Sequence, residues 1–410
     1  MENAVPDVDR DLIRRDLAQL VSWASVGGSE GEVGVQRWCA ATMQGIGLDV
    51  DLWPLDLDTL RADPDHPGEE VERAEAWGCV GTSGSGTPEL ILNGHVDVVP
   101  PGEPEWWTGH DPFHLHETNL PGEGGRWYGR GTCDMLGGVA AILGAVRAVG
   151  DHLTRPFAVH TVIGEEDGGL GTFATLRRGH VGRACLIAEP TAGQIVAANA
   201  GSLTFRLEVR GLSTHGSRAS QGISALDVFD RVRDALGRLD ERRNTLTRAP
   251  FGERPWPISI GVVHAGDWAS TVPDLLVAEG RYGVMPGESF ADAIAAFEAV
   301  LAAIDDPWLR EHPVEVSWPG GRFAAGALDV GHPFGAEVVT AVESTGAATP
   351  ELIGMPYGSD LRQYASAGIP TVQYGPGHVD QAHSIDEFVP IDEVIRSAQA
   401  YAHLLIARCS

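Results

Sequence analysis

Lysine is absent from this chain of 410 residues: all 29 of its basic residues are arginine. That absence excludes a pyridoxal Schiff base, a phosphate-loop lysine and a lysine general base. Positive charge of any kind is scarce beside 57 acidic residues, and a formal net charge of -28 repels phosphate backbones and anionic membranes at long range. Neither a nucleic acid nor a membrane is an expected partner. Cysteine is also thin. Cys39, Cys79, Cys133, Cys185 and Cys409 are odd in number, widely spread and never in a CxxC pair, which excludes a disulfide framework and a thiolate zinc knuckle. No run of eighteen apolar residues occurs, and the opening "MENAVPDVDRDLIRRDL" is acidic and amphipathic without an apolar signal core. A cytoplasmic protein is expected.

What is present is apolar material for a sizeable core, 43% of the chain, and a length that favours two domains. Leu12, Ile13, Leu17, Leu20 and Val21 recur at helical spacing, and "EVGVQRWCAATMQGIG" repeats the pattern before a Gly stop, so two helices open the chain. Short apolar runs bounded by Gly and Pro follow: "ELILNGHVDVV", "FAVHTVIGEED", "ACLIAEPT" and later "IPTVQYGPG". They read as buried strands alternating with helices such as "MLGGVAAILGAVRAVG", which is the pattern of an α/β sheet. Around Gly201 the texture changes. "SLTFRLEVRG" alternates apolar and polar residues, as a strand with one wet face does, and it opens a β-α-β-β-α-β order in which Ser289 caps the second helix. Residues 200–318 are therefore expected to form a ferredoxin-like α+β domain inserted into an α/β domain made of residues 1–199 and 319–410. The segments "LRADPDHPGEEVERAEAW" and "TSGSGTPE" read as surface loops.

Polar chemistry in α/β folds gathers where strands end. At such places stand His95 in "NGHVDVV", Asp134 in "GTCDMLGG", Glu165 and Glu166 in "VIGEEDGG", Glu189 in "LIAEPT", and His383 in "GPGHVDQAHSIDEF". Imidazoles and carboxylates without a thiolate suit a borderline divalent metal such as zinc, or a pair sharing a bridging carboxylate. Two-residue alternation sends His95 and Asp97 to one side of their strand, either as a ligand with its orienting partner or as a satisfied polar pair. Neighbouring side chains point apart in extended backbone, so one of Glu165 and Glu166 can bind metal while the other faces water. Cys133 reads as buried packing, because a nucleophilic thiol needs a histidine base and would leave the carboxylates unexplained.

Taken together these motifs resemble the di-zinc metallopeptidase family that includes acetylornithine deacetylase, succinyl-diaminopimelate desuccinylase, aminoacylase-1 and carboxypeptidase G2. The resemblance spans the chain and implies a zinc-peptidase-like catalytic domain, a mixed sheet flanked by helices, carrying an inserted lid through which a homodimer forms. It implies two divalent cations, zinc first, with cobalt or manganese able to substitute. One would be held by His95 and Glu189 and the other by Glu166 and His383, with Asp134 bridging and Asp97 holding the His95 imidazole. Glu165 would be the general acid/base, His215 in "GLSTHGSRAS" the donor to the oxyanion, and Ser270 and Arg281 substrate contacts. A cis peptide is expected at Asp134–Met135. Two departures from the family pattern stand out: Leu136 replaces the lysine of a common DMKGG motif, and Ser270 and Thr271 precede the VP pair where many relatives carry asparagine. Arg281 reads equally as a solvated strand residue. His110, His114, His116, His160, His264 and His378 are taken as surface or structural. The activity implied is hydrolysis of the amide of a small N-acylated substrate such as an N-acyl amino acid. The alternatives are a dipeptidase or carboxypeptidase of the same family and a catalytically silent binding protein.

Overall fold

A computed structural model describes residues 7–120, 124–245 and 249–410. The chain divides into two compact units, one comprising 1–198, 327–353 and 359–410, the other 199–326 with 354–358. The second unit thus runs past residue 318. The reason is pairing: Arg322–Phe323 adds to the strand Gly201–Arg210, and Gly354 bridges to Phe251.

In the first unit, helix α1 (Arg10–Ser22) starts at Asp9, whose carboxylate accepts the amides of Asp11 and Leu12, and α2 (Glu30–Gly45) starts at Ser29. Strands β1 (Asp49–Pro54), β2 (Trp77–Thr82) and β3 (Ile91–His95) follow, then helix α3 (Gly137–Val149) and strands β4 (Ala158–Val162), β5 (Cys185–Ile187) and β6 (Ile195–Asn199). The window Thr132–Val149 is apolar enough to cross a membrane by length and composition. It is 83% buried inside the protein, which marks it as a core helix.

The second unit holds β7 (Gly201–Arg210), α4 (Ala225–Asn244), β8 (Ile258–Ala265), β9 (Leu275–Val284), α5 (Phe290–Ala302) and β10 (Glu315–Ser317). Along β7, buried residues alternate with half-buried ones, as the alternation of its sequence requires. The strands run antiparallel in the order β8-β9-β7-β10, the ferredoxin-like arrangement, and Phe205, Tyr282, Phe297 and Trp318 pack together in its core.

Strand β11 (Thr371–Gln373) and helix α6 (Ile391–Cys409) complete the first unit, whose mixed sheet contains the run β1-β2-β4-β3-β5-β11-β6, with the short strands Gly326–Ala327 and Leu352–Met355 pairing with β6. Four central strands, β4, β3, β5 and β11, are mutually parallel. Their C-terminal ends therefore meet at one edge of the sheet, which is where such folds place their chemistry. Helices Leu170–Arg177, Pro333–Glu343 and Leu361–Ser366 were not apparent from periodicity. The first and last are shorter than the window over which an apolar stripe becomes readable. The segment expected to be a surface loop after Leu60 contains Arg73, whose side chain is wholly buried.

Candidate metal centre and active site

His95 closes β3, and its ring is buried. Nδ1 lies 2.9 Å from the main-chain carbonyl of Asp97, while Nε2 lies 3.0 Å from Asp134 Oδ1 and 3.8 Å from Glu189 Oε1. A carbonyl only accepts, so it fixes the proton on Nδ1 and turns the Nε2 lone pair toward carboxylate oxygens. Lone pairs facing lone pairs demand a proton or a cation between them. Burial opposes charge on this imidazole. The hydrogen bond to Asp134 and the charges of Glu189 and Asp97 outweigh burial and push its pKa well above 6.5.

The role expected of Asp97 changes in detail. Strand β3 stops at His95, so two-residue alternation does not reach Asp97. Its carboxylate is 3.6 Å from Nδ1 and instead accepts the amides of Glu165 and Glu166, at 3.3 and 3.2 Å. The carbonyl orients the imidazole; the carboxylate holds the turn after β4.

Asp134 precedes α3 and directs one oxygen to each imidazole: Oδ1 to His95, and Oδ2 to His383 Nε2 at 3.7 Å. That is the disposition a bridging carboxylate needs. The peptide Asp134–Met135 is cis. Glu387, missed in the sequence, fixes this segment: its buried carboxylate accepts the amides of Gly131, Cys133 and Asp134 and the Arg130 guanidinium. Burial pushes its pKa up to about 7, against the pull of Arg130. Its only sequence signal was an acid four residues beyond His383. Cys133 is buried beside the His378 carbonyl, and burial raises its thiol pKa well above 9, as packing rather than nucleophilic duty requires.

Both oxygens of Glu166 lie near His383 Nε2, at 3.2 and 3.0 Å, and chiefly this contact raises the imidazole to about 9. Glu165 and Glu189 are buried, and burial with mutual repulsion among the acids pushes both carboxyls well above 4.5. Two donor sets result, His95 with Glu165 and Glu189, and His95 with Asp134 and Glu166, each with its ligand atoms within 4.8 Å of one another. Nitrogen and oxygen donors carrying surplus negative charge in a buried place fit divalent cations. Glu165, expected as a base, thus lies close to the donors.

In the second unit His215 is exposed and its Nδ1 accepts the amide of Ser217 at 3.2 Å, which leaves Nε2 as a donor. The Ser270 carbonyl accepts the amide of Gly216 at 2.6 Å, bracing that turn, and Thr271 bridges His215. Arg281, on β9, is half-buried rather than solvated. Nη2 donates to the Pro356 carbonyl at 3.0 Å, no carboxylate pairs with it among the described residues, and burial lowers its pKa. Of the neighbouring residues Trp106 and Trp107, Trp107 is buried with Nε1 on the Pro101 carbonyl, and Trp106 is exposed.

Comparison with known proteins gives the family of the chain. The sequence profile of peptidase family M20/M25/M40 matches residues 91–407. An N-formyl-4-amino-5-aminomethyl-2-methylpyrimidine deformylase of Bacillus subtilis is 28% identical over 92% of this chain and 89% of its own. An acetylornithine deacetylase of Proteus mirabilis is 30% identical over 75% of this chain and 76% of its own. The fold is shared with the Bacillus subtilis YXEP protein, described as a dinuclear metal binding peptidase of family M20, at a TM-score of 0.61 and 15% identity over 97% and 99% of the two chains. Family profile, relatives and fold concur: the chain is an enzyme of the amide-hydrolysing peptidase family M20/M25/M40.

Proposed function

We propose that this enzyme is a divalent-metal-dependent deacylase that cleaves the amide of a small N-acylated amine or amino acid. The observation that carries the reading is the convergence of His95, Asp134, Glu165, Glu166, Glu189 and His383 at one sheet edge. His95, Asp134 and Glu189 would hold one cation, and Asp134, Glu166 and His383 the other, with zinc favoured by the mixed imidazole and carboxylate donors and cobalt or manganese able to substitute. Bound there, the pair would polarise the scissile carbonyl and acidify water. Glu165, whose carboxyl is held high by burial, takes the proton of the attacking water at a carboxylate oxygen and passes it to the leaving nitrogen. His215, from the same chain or from a second copy, would offer Nε2–H to the oxyanion, a contribution of roughly 3 kcal/mol for such donors. Arg281 has no carboxylate partner among the described residues and suits a substrate carboxylate, and Ser270 would be a second substrate contact.

Small acyl groups are favoured over peptides because the relatives aligned over most of the chain are named a deformylase and a deacetylase. A dipeptidase or carboxypeptidase is the second reading, since the matching family profile is one of peptidases. A silent binding protein would need to have lost donors, and every expected donor is in the chain. The test is a panel of N-formyl and N-acetyl amines, N-acetyl amino acids and dipeptides, assayed with metal-loaded and with chelated protein. Turnover of N-acyl substrates that disappears on chelation and returns with zinc or cobalt is expected. Turnover of dipeptides alone would replace the deacylase reading, and full activity after exhaustive chelation would end the metal reading.

A further inference from the structure

We propose that Arg73 is a positioning residue for the turn that carries Glu165, an inference that rests on the reading of Glu165 as acid/base. Arg73 lies in the segment between β1 and β2, where sequence alone suggests solvent, yet its side chain is fully buried between two carboxylates. One edge of the guanidinium, Nε and Nη2, donates to Glu32 of α2 at 2.9 and 2.8 Å. The other edge, Nη1 and Nη2, donates to Asp167 at 2.8 and 2.9 Å. Asp167 stands two residues beyond Glu165, and its Oδ2 also accepts the amides of Glu70 and Val71. A Cβ on Gly164, the residue before Glu165, would lie 3.2 Å from Nη2 at a φ of +66°, so the guanidinium lies directly against the turn backbone.

The turn is therefore gripped from several sides. Asp97 takes the amides of Glu165 and Glu166, Arg73 takes the carboxylate of Asp167, and Arg362 donates to the carbonyl of Gly168. Buried charge is a poor route to stability, since well-packed apolar side chains of the same volume generally do as well or better. What a guanidinium between two carboxylates supplies is fixed geometry, because its planar fork admits one orientation of each partner. A base must sit within a few tenths of an ångström of its working place, and Arg73 holds the Asp167 side chain on one side of Glu165 while lying close to Gly164 on the other.

The experiment is a double-mutant cycle on the metal-loaded enzyme, with kcat and KM on an N-acyl substrate, metal content and thermal midpoint measured for each protein. Arg73→Lys keeps the charge and loses the fork. It is expected to lower kcat roughly 10- to 100-fold with KM and metal content near wild type. In a Glu165→Gln background the same substitution should cost less than about twofold more, because the group it positions is already disabled. Asp167→Asn should reproduce the kcat loss and carries the test if Arg73→Lys fails to fold. An equal loss in both backgrounds, a loss explained by missing metal, or a wild-type kcat in Arg73→Lys or Asp167→Asn overturns the clamp and leaves Glu165 in place. Wild-type turnover in Glu165→Gln removes the acid/base reading and the clamp with it.

Discussion

At the scale of single residues, the buried His160 on β4 carries a pH dependence of its own. Its Nδ1 is 2.8 Å from the Tyr364 hydroxyl, which already accepts Asn93 Nδ2, so the hydroxyl donates to a neutral imidazole. Burial, with a smaller push from His180, lowers the His160 pKa to about 3. The sign follows from linkage: below the ordinary value near 6.5 the unfolded chain takes up a proton that the folded one refuses, so this residue withdraws stability as pH falls from 6.5 toward 3. Between pH 6.5 and 5 that amounts to at most about 2 kcal/mol. His160→Gln is expected to be less stable than wild type at pH 7 and to close the gap by pH 5. Urea midpoints at the two pH values check this, and a gap that does not change with pH would show that His160 protonates freely in the fold.

At the scale of elements, periodicity resolved those long enough to show it, among them α1, α2, α3, α4 and α5, together with the alternating β7. The short helices and the exact end of β3 lay beyond it, because a helix of two turns or a strand of five residues is fixed by its neighbours as much as by its own pattern. The double glycine that opens α3 shows what a neighbour can impose. A Cβ on Gly138 would stand 2.1 Å from the Ala188 carbonyl and 2.9 Å from the Ala188 Cβ, directly before Glu189. Helix α3 and the end of β5 can approach only because that position is glycine. Gly138→Ala is expected to cost at least about 1–3 kcal/mol through overpacking and to reduce metal content by displacing Glu189. Gly237→Ala, on α4 with open space where the Cβ would go, should instead raise stability by up to about 1 kcal/mol. Thermal midpoints of the two variants give the comparison, and equal midpoints would mean that the contact between α3 and Ala188 is not made.

For the whole molecule, the second unit ends its sheet on β8, whose outer edge pairs with no other strand among the described residues and exposes Val262 and Val263. Exposed apolar edge strands recruit partners, and a second copy of the chain is the expected one. We expect a homodimer in sedimentation velocity that Val263→Lys shifts toward monomer; a wild-type monomer at micromolar concentration would count against association through this unit.

From the amino-acid order alone came the residue types of the candidate site, the absence of lysine, the α/β class and the inserted antiparallel layer, since each is written in residue type or in spacing along a short stretch. Folding in three dimensions decided the partnerships. Whether Asp97 grips an imidazole or a turn, that Arg73 belongs between Glu32 and Asp167, and that Glu387 anchors the backbone of Asp134 all depend on strand order and on contacts across 41 to 253 positions of chain. Local pattern encodes which side of an element is buried. It carries no information about which distant group must neutralise a charge once water has been excluded, and that pairing is settled only when the elements pack.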